Sequence, residues 1–279
     1  MRLARVTKDG KIGLAAKTGD KVTLAYGADI ADLDTHIADG TLDAAGAKAA
    51  AGEAVDEATL TFLPPLTRAG KVICLGLNYA DHAAEANLDV PEFPTIFARF
   101  ASNLIGHDSP ILKPKTSDQL DYEGEMVAVI GKRAKNVPAS EALSHVMGYS
   151  VFNDGSVRDY QLKTPQWTAG KNFDNTGSFG PWLVTADELP AGGEGLKIET
   201  RLNGNVMQSA STDQMIFNVE QTVTLLSSFL TLEPGDVLVM GTPSGIGLAR
   251  TPPVFMKDGD VIEVEIENIG LLRNPIAAE

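Results

Sequence analysis

Short runs of alternating apolar and polar residues, punctuated by glycine, set the rhythm of this chain. Leu3 to Val6, Lys11 to Ala15 and Lys21 to Ala25 read as strands, with Gly10, Gly19 and Gly27 between or after them. An alanine-rich stretch from Leu42 to Ala58 has helix propensity but only a weak apolar stripe. The double proline in Leu63-Pro64-Pro65-Leu66 then favours an extended connector. We place a domain boundary there, with a small α+β unit over residues 1–66 and a larger unit over residues 67–279.

The larger unit is strand-rich. Val72 to Leu77, Met126 to Ile130, Met147 to Phe152, Trp182 to Thr185 and Val237 to Met240 are apolar runs of strand length. Asn203-Gly204 between alternating runs signals a hairpin. Ile262, Val264 and Ile266 alternate with Glu263, Glu265 and Glu267, the pattern of a half-buried antiparallel strand. Val219, Val223, Leu226 and Leu230 share one helical face, and Asn218 precedes them as a candidate N-cap. Ser140 is a candidate cap for a shorter helix through Val146. The pattern predicts a mainly β, α+β protein and not alternating βαβ units.

Within Tyr122-Glu123-Gly124-Glu125-Met126-Val127-Ala128-Val129-Ile130, strand geometry points Glu123 and Glu125 to one side. A solvated face is the ordinary reading of such spacing, and Glu263, Glu265 and Glu267 illustrate it. The Glu123 strand differs because both of its faces turn apolar beyond the glutamates, which predicts burial on both sides. Two carboxylates at the end of a buried strand repel and lose solvation. Either one is protonated or a cation lies between them, and oxygen donors select magnesium, calcium or manganese over zinc. Asp154 ends the strand-like run Tyr149 to Asn153 and is placed to join the pair, or else to cap a turn.

Composition sharpens this picture. The 279 residues carry a net charge of -14, which argues against nucleic acid and anionic membranes as partners. An anionic substrate would then need local positive charge, which a bound cation would supply. The lone Cys74 excludes an internal disulfide, and no apolar run approaches the roughly 18 residues of a membrane span. With no signal-like start, the expectation is a cytoplasmic enzyme.

Several landmarks now fall in a familiar order: Gly76-Leu77-Asn78-Tyr79 with His82 and Glu85, Asp121-Tyr122-Glu123-Gly124-Glu125, Asn153-Asp154-Gly155, Gly170-Lys171-Asn172, Leu232-Glu233-Pro234-Gly235-Asp236 and Gly241-Thr242-Pro243-Ser244-Gly245. Between Lys71 and Asn274 the chain resembles the fumarylacetoacetate hydrolase family. The resemblance implies a mixed β-sandwich roll, a homodimer, and Mg2+ or Mn2+ held by Glu123, Glu125 and Asp154. It implies that His82 and Glu85 form a dyad that activates water, with Lys171 as a third catalytic group. Tyr79, Arg158, Gln161 and Thr242 would bind substrate. Read by themselves, His82-x-x-Glu85 is a polar surface turn, Lys171 a surface lysine and Gly241 to Gly245 a plain turn; Arg158 could pair with Asp121 or Asp159. His107 stands where the family commonly has a proline-glycine turn, a departure expected to alter a loop near the site. The implied activity is hydrolysis of a C–C bond in an acylpyruvate or related diketo acid. The alternative keeps the metal site and changes the reaction to decarboxylation, isomerisation or dehydration of a 2-oxo acid.

Overall fold

The computed structural model describes residues 1–85 and 92–279, leaving aside the side chains of Ala83 and Ala84. Its largest sheet has twelve strands. At the centre, Gly124–Ile130 pairs antiparallel with Val146–Asp154 on one side and with Val237–Val239 on the other. Beyond Val237–Val239 lie Val72–Gly76, parallel to it, and the antiparallel edge strand Thr95–Arg99. In the other direction Val146–Asp154 pairs with Gly177–Thr185. A five-stranded sheet, built around Lys197–Leu202, Val261–Ile266 and Gly270–Ala278, packs across the first.

The central strand is buried on both faces, as its sequence predicts. Met126, Ala128 and Ile130 share a core with Ile198, Val264 and Leu272 of the five-stranded sheet. Val127 and Val129 pack the opposite way, with Phe152, Phe179 and Leu183. Gly124 permits the sheets to approach, because a Cβ there would collide with the Thr200 hydroxyl and crowd Val264. The hairpin turns at Asn203-Gly204, joining Lys197–Leu202 to Asn205–Ser211. The helix Val219–Phe229 starts at Asn218, whose side chain accepts the Gln221 N–H in a reciprocal capping box.

Three local expectations need correction. The helix from Leu42 stops at Ala50, because Gly52 brings the chain against the backbone of Leu24 and Glu53–Val55 then joins the sheet edge. Ser140 lies inside the short helix Ala139–Ala142, whose N-cap position is Pro138, and caps nothing. The chain reaches Val146 through a separate 3-10 turn, Leu143–His145.

The first strand, Arg2–Lys8, does not stand apart. It pairs antiparallel with Gly177–Thr185, so the three N-terminal strands continue the twelve-stranded sheet. Leu3, Leu14, Leu33 and Ile37 share a core with Phe179 and Leu183. Thus the proposed boundary at residue 66 marks a connector and not an edge of the sheet: Leu63 N–H and Pro64 carbonyl both bond Arg5. His107 lies in this junction, its Nδ1 accepting the Arg273 N–H and its ring set edge-on to Phe62. It does not line the cavity described next.

Candidate active site

Antiparallel pairing brings the three acids together. Asp154 ends the strand Val146–Asp154, and its N–H donates to the Glu123 carbonyl. Glu123 N–H in turn donates to the Asn153 side chain at 3.0 Å, which fixes the entry to the central strand. Carboxylate oxygens of Glu123, Glu125 and Asp154 lie within 4.8 Å of one another, and all three residues are buried.

Buried charges need partners, and here they are shared unequally. Lys171, itself only 1 % exposed, donates to Glu123 at 2.6 Å and to Asp154 at 2.7 Å. Arg158 contacts Glu123 at 2.7 Å and Asp121 at 2.9 Å. Arg99 pairs with Asp154 and also bonds the Gly155 carbonyl and the Thr176 hydroxyl. Glu125 has no ion pair among the described residues and accepts the Gly241 N–H at 2.5 Å. Burial raises the Glu123 carboxyl, but the charges of Lys171 and Arg158 outweigh that and hold it at about 2. Burial pushes Glu125 well above the ordinary carboxylate range, and the charges of Asp154 and Glu123 push it further. Burial would lower the Lys171 ammonium, yet Asp154 and Glu123 raise it overall.

This donor set suits a hard divalent cation. Three clustered carboxylates offer oxygen ligands, and positive charge beside Glu125 would offset the burial and the neighbouring acids that favour its protonated form.

The expected dyad reaches the same cavity. Asn78 anchors its turn: the side chain donates to the carbonyls of Phe217 and Met240 and accepts the Phe217 N–H. With Leu77 held at a left-handed φ of 58°, the chain swings from the strand Val72–Gly76 into the helix Ala80–Glu85. His82 Nδ1 lies 3.4 Å from Glu85, whose two oxygens also accept the Gly245 N–H at 3.0 and 3.1 Å. Burial raises the Glu85 carboxyl, but these bonds lower it overall, so the group that faces His82 is the anion.

A cavity of about 280 Å³ is lined by His82, Glu85, Glu123, Glu125, Arg158, Gln161, Lys171 and Thr242. Eight of the ten residues expected at the site line this cavity, and Asp154 lies behind it, in contact with Lys171 and the carboxylate cluster. Tyr79 does neither. It is buried beside the pairing with Met215 and lines a separate groove, because the turn at Asn78 directs it into the core. The Thr242 hydroxyl donates to the Gly124 carbonyl and accepts from Gln208, so its proton is engaged and the backbone N–H is the donor left to it for a substrate. Arg158 contacts Asp121 but not Asp159, which bonds Ser117 instead. One guanidinium nitrogen of Arg158, Nη2, has no partner among the described residues and remains available as a donor.

Arg99 and Gln208 escaped the sequence reading, which had Asp121 only as a possible partner of Arg158. Asp121 accepts the N–H groups of Gly247 and Leu248 and so ties their loop to Arg158. Gln208 accepts the Gly124 N–H while donating to Thr242 and Pro243. Only Asp121 carried a signal, lying two residues before Glu123.

Fold and site together define a class: a mixed-sheet β protein with a buried acidic trio that suits a divalent cation, opening on a histidine–glutamate pair. Residues 71–277 match the family model described as fumarylacetoacetate (FAA) hydrolase C-terminal, and the chain belongs to that family. It is 47% identical over 219 residues to oxaloacetate tautomerase FAHD2A, mitochondrial, of Bos taurus, a match covering 78% of this chain and 69% of that protein. A fumarylacetoacetate hydrolase from Exiguobacterium antarcticum superposes with a TM-score of 0.87 at 33% identity, over 100% of both chains. Fumarylpyruvate hydrolase from Pseudomonas aeruginosa, solved with Mn2+ and pyruvate, gives 0.70 at 31% identity, covering 78% of this chain and 92% of that one. The chain is thus an enzyme-family member, and no helix among the described residues is long and apolar enough to cross a membrane.

Proposed function

We propose that this protein is a divalent-metal-dependent enzyme that interconverts the keto and enol forms of a small 2-oxo acid. The observation that carries the proposal is that the acidic trio and the His82–Glu85 pair open on one cavity. A cation held by Glu123, Glu125 and Asp154, as Mg2+ or Mn2+, would supply positive charge for the substrate's carboxylate and oxo oxygens and for negative charge developing beside them. His82 is the base that takes a proton at the carbon next to the oxo group, or returns one. Glu85 holds the imidazole by its Nδ1 side, leaving Nε2 for the substrate. The free Nη2 of Arg158 and the Gln161 amide are donors for the substrate's oxygens. Support for tautomerisation comes from the names of the mammalian relatives and from economy, since one base serves both proton transfers.

A second reading is hydrolysis of an acylpyruvate, with His82 deprotonating a water. It is favoured by the solved relative that holds pyruvate and by the same dyad. The proposal extends to a homodimer in the cytoplasm, as the sequence reading expects.

The test uses Mn2+-loaded protein and the enol forms of oxaloacetate and phenylpyruvate, following loss of enol absorbance. Acetylpyruvate is run beside them with lactate dehydrogenase to report pyruvate. Accelerated ketonisation that chelator and His82→Ala both remove is the expected result. Pyruvate release without accelerated ketonisation would move the assignment to hydrolysis, and neither activity would overturn both readings.

A further inference from the structure

One buried acid near the cavity has no part in the proposed chemistry. Asp121 is 0 % exposed, does not line the cavity and lies outside the acidic trio. It accepts four bonds. Oδ1 takes the N–H groups of Tyr122 and Gly247, each at 2.8 Å. Oδ2 takes the Leu248 N–H and the Arg158 Nε–H, each at 2.9 Å. Gly247 admits the carboxylate, since a Cβ there would lie 2.5 Å from Oδ1 and 1.9 Å from the Val254 carbonyl oxygen. Three of the four donors belong to the main chain, so the backbone fixes the acid and the acid fixes the arginine.

That arginine has a direction to keep. Its Nη1 reaches Glu123 at 2.7 Å and the Gln161 side-chain oxygen at 2.8 Å. Contacts at Nη1 alone would let the planar guanidinium swivel. A second contact at Nε sets the plane, and with it the direction of Nη2, which has no partner among the described residues. Because Gln161 accepts through its oxygen, its amide nitrogen is left as a second donor. A cation held by the trio would draw on Glu123, whereas the hold of Asp121 on Arg158 does not depend on what the trio binds.

We infer that Asp121 is a positioning residue for substrate binding, acting through Arg158 to aim Nη2 and the Gln161 amide at the substrate's oxygens. The inference rests on the proposed function, which makes those two groups donors to the substrate.

Asp121→Asn keeps the shape of the side chain and halves its capacity. A carboxylate accepts four bonds and an amide oxygen two, while the new NH2 would face two N–H donors. Calorimetry is run with Mn2+ alone, then with N-oxalylglycine, a 2-oxo dicarboxylate analogue, on the Mn2+-loaded protein. The Kd for Mn2+ should hold, and that for N-oxalylglycine should rise roughly tenfold to a hundredfold. In an Arg158→Met background the same change should add less than about twofold, because the group it works through is gone. Asp121→Ser, which sets no NH2 against the loop, should repeat the pattern and replaces Asp121→Asn if that variant does not fold. Unaltered N-oxalylglycine binding by a variant that still takes Mn2+, or an equal loss in both backgrounds, would overturn the inference and leave the proposed function standing. If the unaltered protein binds neither Mn2+ nor N-oxalylglycine, the proposed function falls and the inference falls with it.

Discussion

Among the described residues Glu125 is the acid of the trio without an ion pair, and its chemistry follows from that isolation. Its carboxyl is raised in the folded chain, so the native state keeps a proton that the unfolded state has released. Metal-free stability should therefore fall as pH rises from the ordinary glutamate range towards the raised value. Glu125→Gln should flatten that fall, visible as a variant that gains melting temperature at neutral pH and little near pH 5. Mn2+ must displace the same proton, so its affinity should weaken as pH drops. Titrations in two buffers of different ionisation enthalpy should report about one proton released per ion. Arg99 makes the opposite case, a cation whose loss strands an acid. Arg99→Met leaves Asp154 with one fewer buried partner and should cost about 3–5 kcal/mol in denaturant unfolding. Glu123 and Glu125 were legible in the sequence because strand period and flanking apolar residues report burial together. Arg99 was not, since it closes an edge strand and its partner lies 55 residues away.

At the scale of elements, the trio depends on how closely two sheets meet at Gly124. Gly124→Ala should push the Thr200 strand away and cost about 1–3 kcal/mol, with activity falling further than stability because Glu123 and Glu125 flank the shifted residue. Asn218→Ala offers a contrast. It removes a helix cap and should cost about 1 kcal/mol in thermal unfolding, with turnover falling less than for Gly124→Ala because the Phe217 bonds to Asn78 are main-chain on the Phe217 side. That cap was readable, because an asparagine before an apolar helical face has a local cause. Ser140 misled for the complementary reason: Pro138 takes the cap position, and a proline suits a helix entry by its fixed φ. Tyr79 escaped because its direction is set by the Asn78 bonds to residues about 139 and 162 positions away.

For the whole molecule, the question is whether residues 1–66 fold apart from the rest. The double proline in sequence suggested so, and nothing local could reveal that Leu3 lies opposite Leu183. A chain of residues 67–279 alone would expose the edge of Gly177–Thr185 and the apolar faces of Phe179 and Leu183. We expect it to aggregate or melt at least 10 °C below the full chain, and the full chain to unfold in one calorimetric transition (about 1 kcal/mol shifts a protein of this size by roughly 2–4 °C). Two separate transitions would restore the division at residue 66.

The paired bonds from Glu85 to the Gly245 N–H have a consequence for the base. The carboxylate that holds the base also fastens the helix Ala80–Glu85 to the loop that carries Ile246, Leu248 and Ala249 of the wall. If that loop moved away, Glu85 would stay beside His82 on the same helical turn but would lose the Gly245 N–H that helps hold it as the anion. The bond that closes the wall thus also tunes the base.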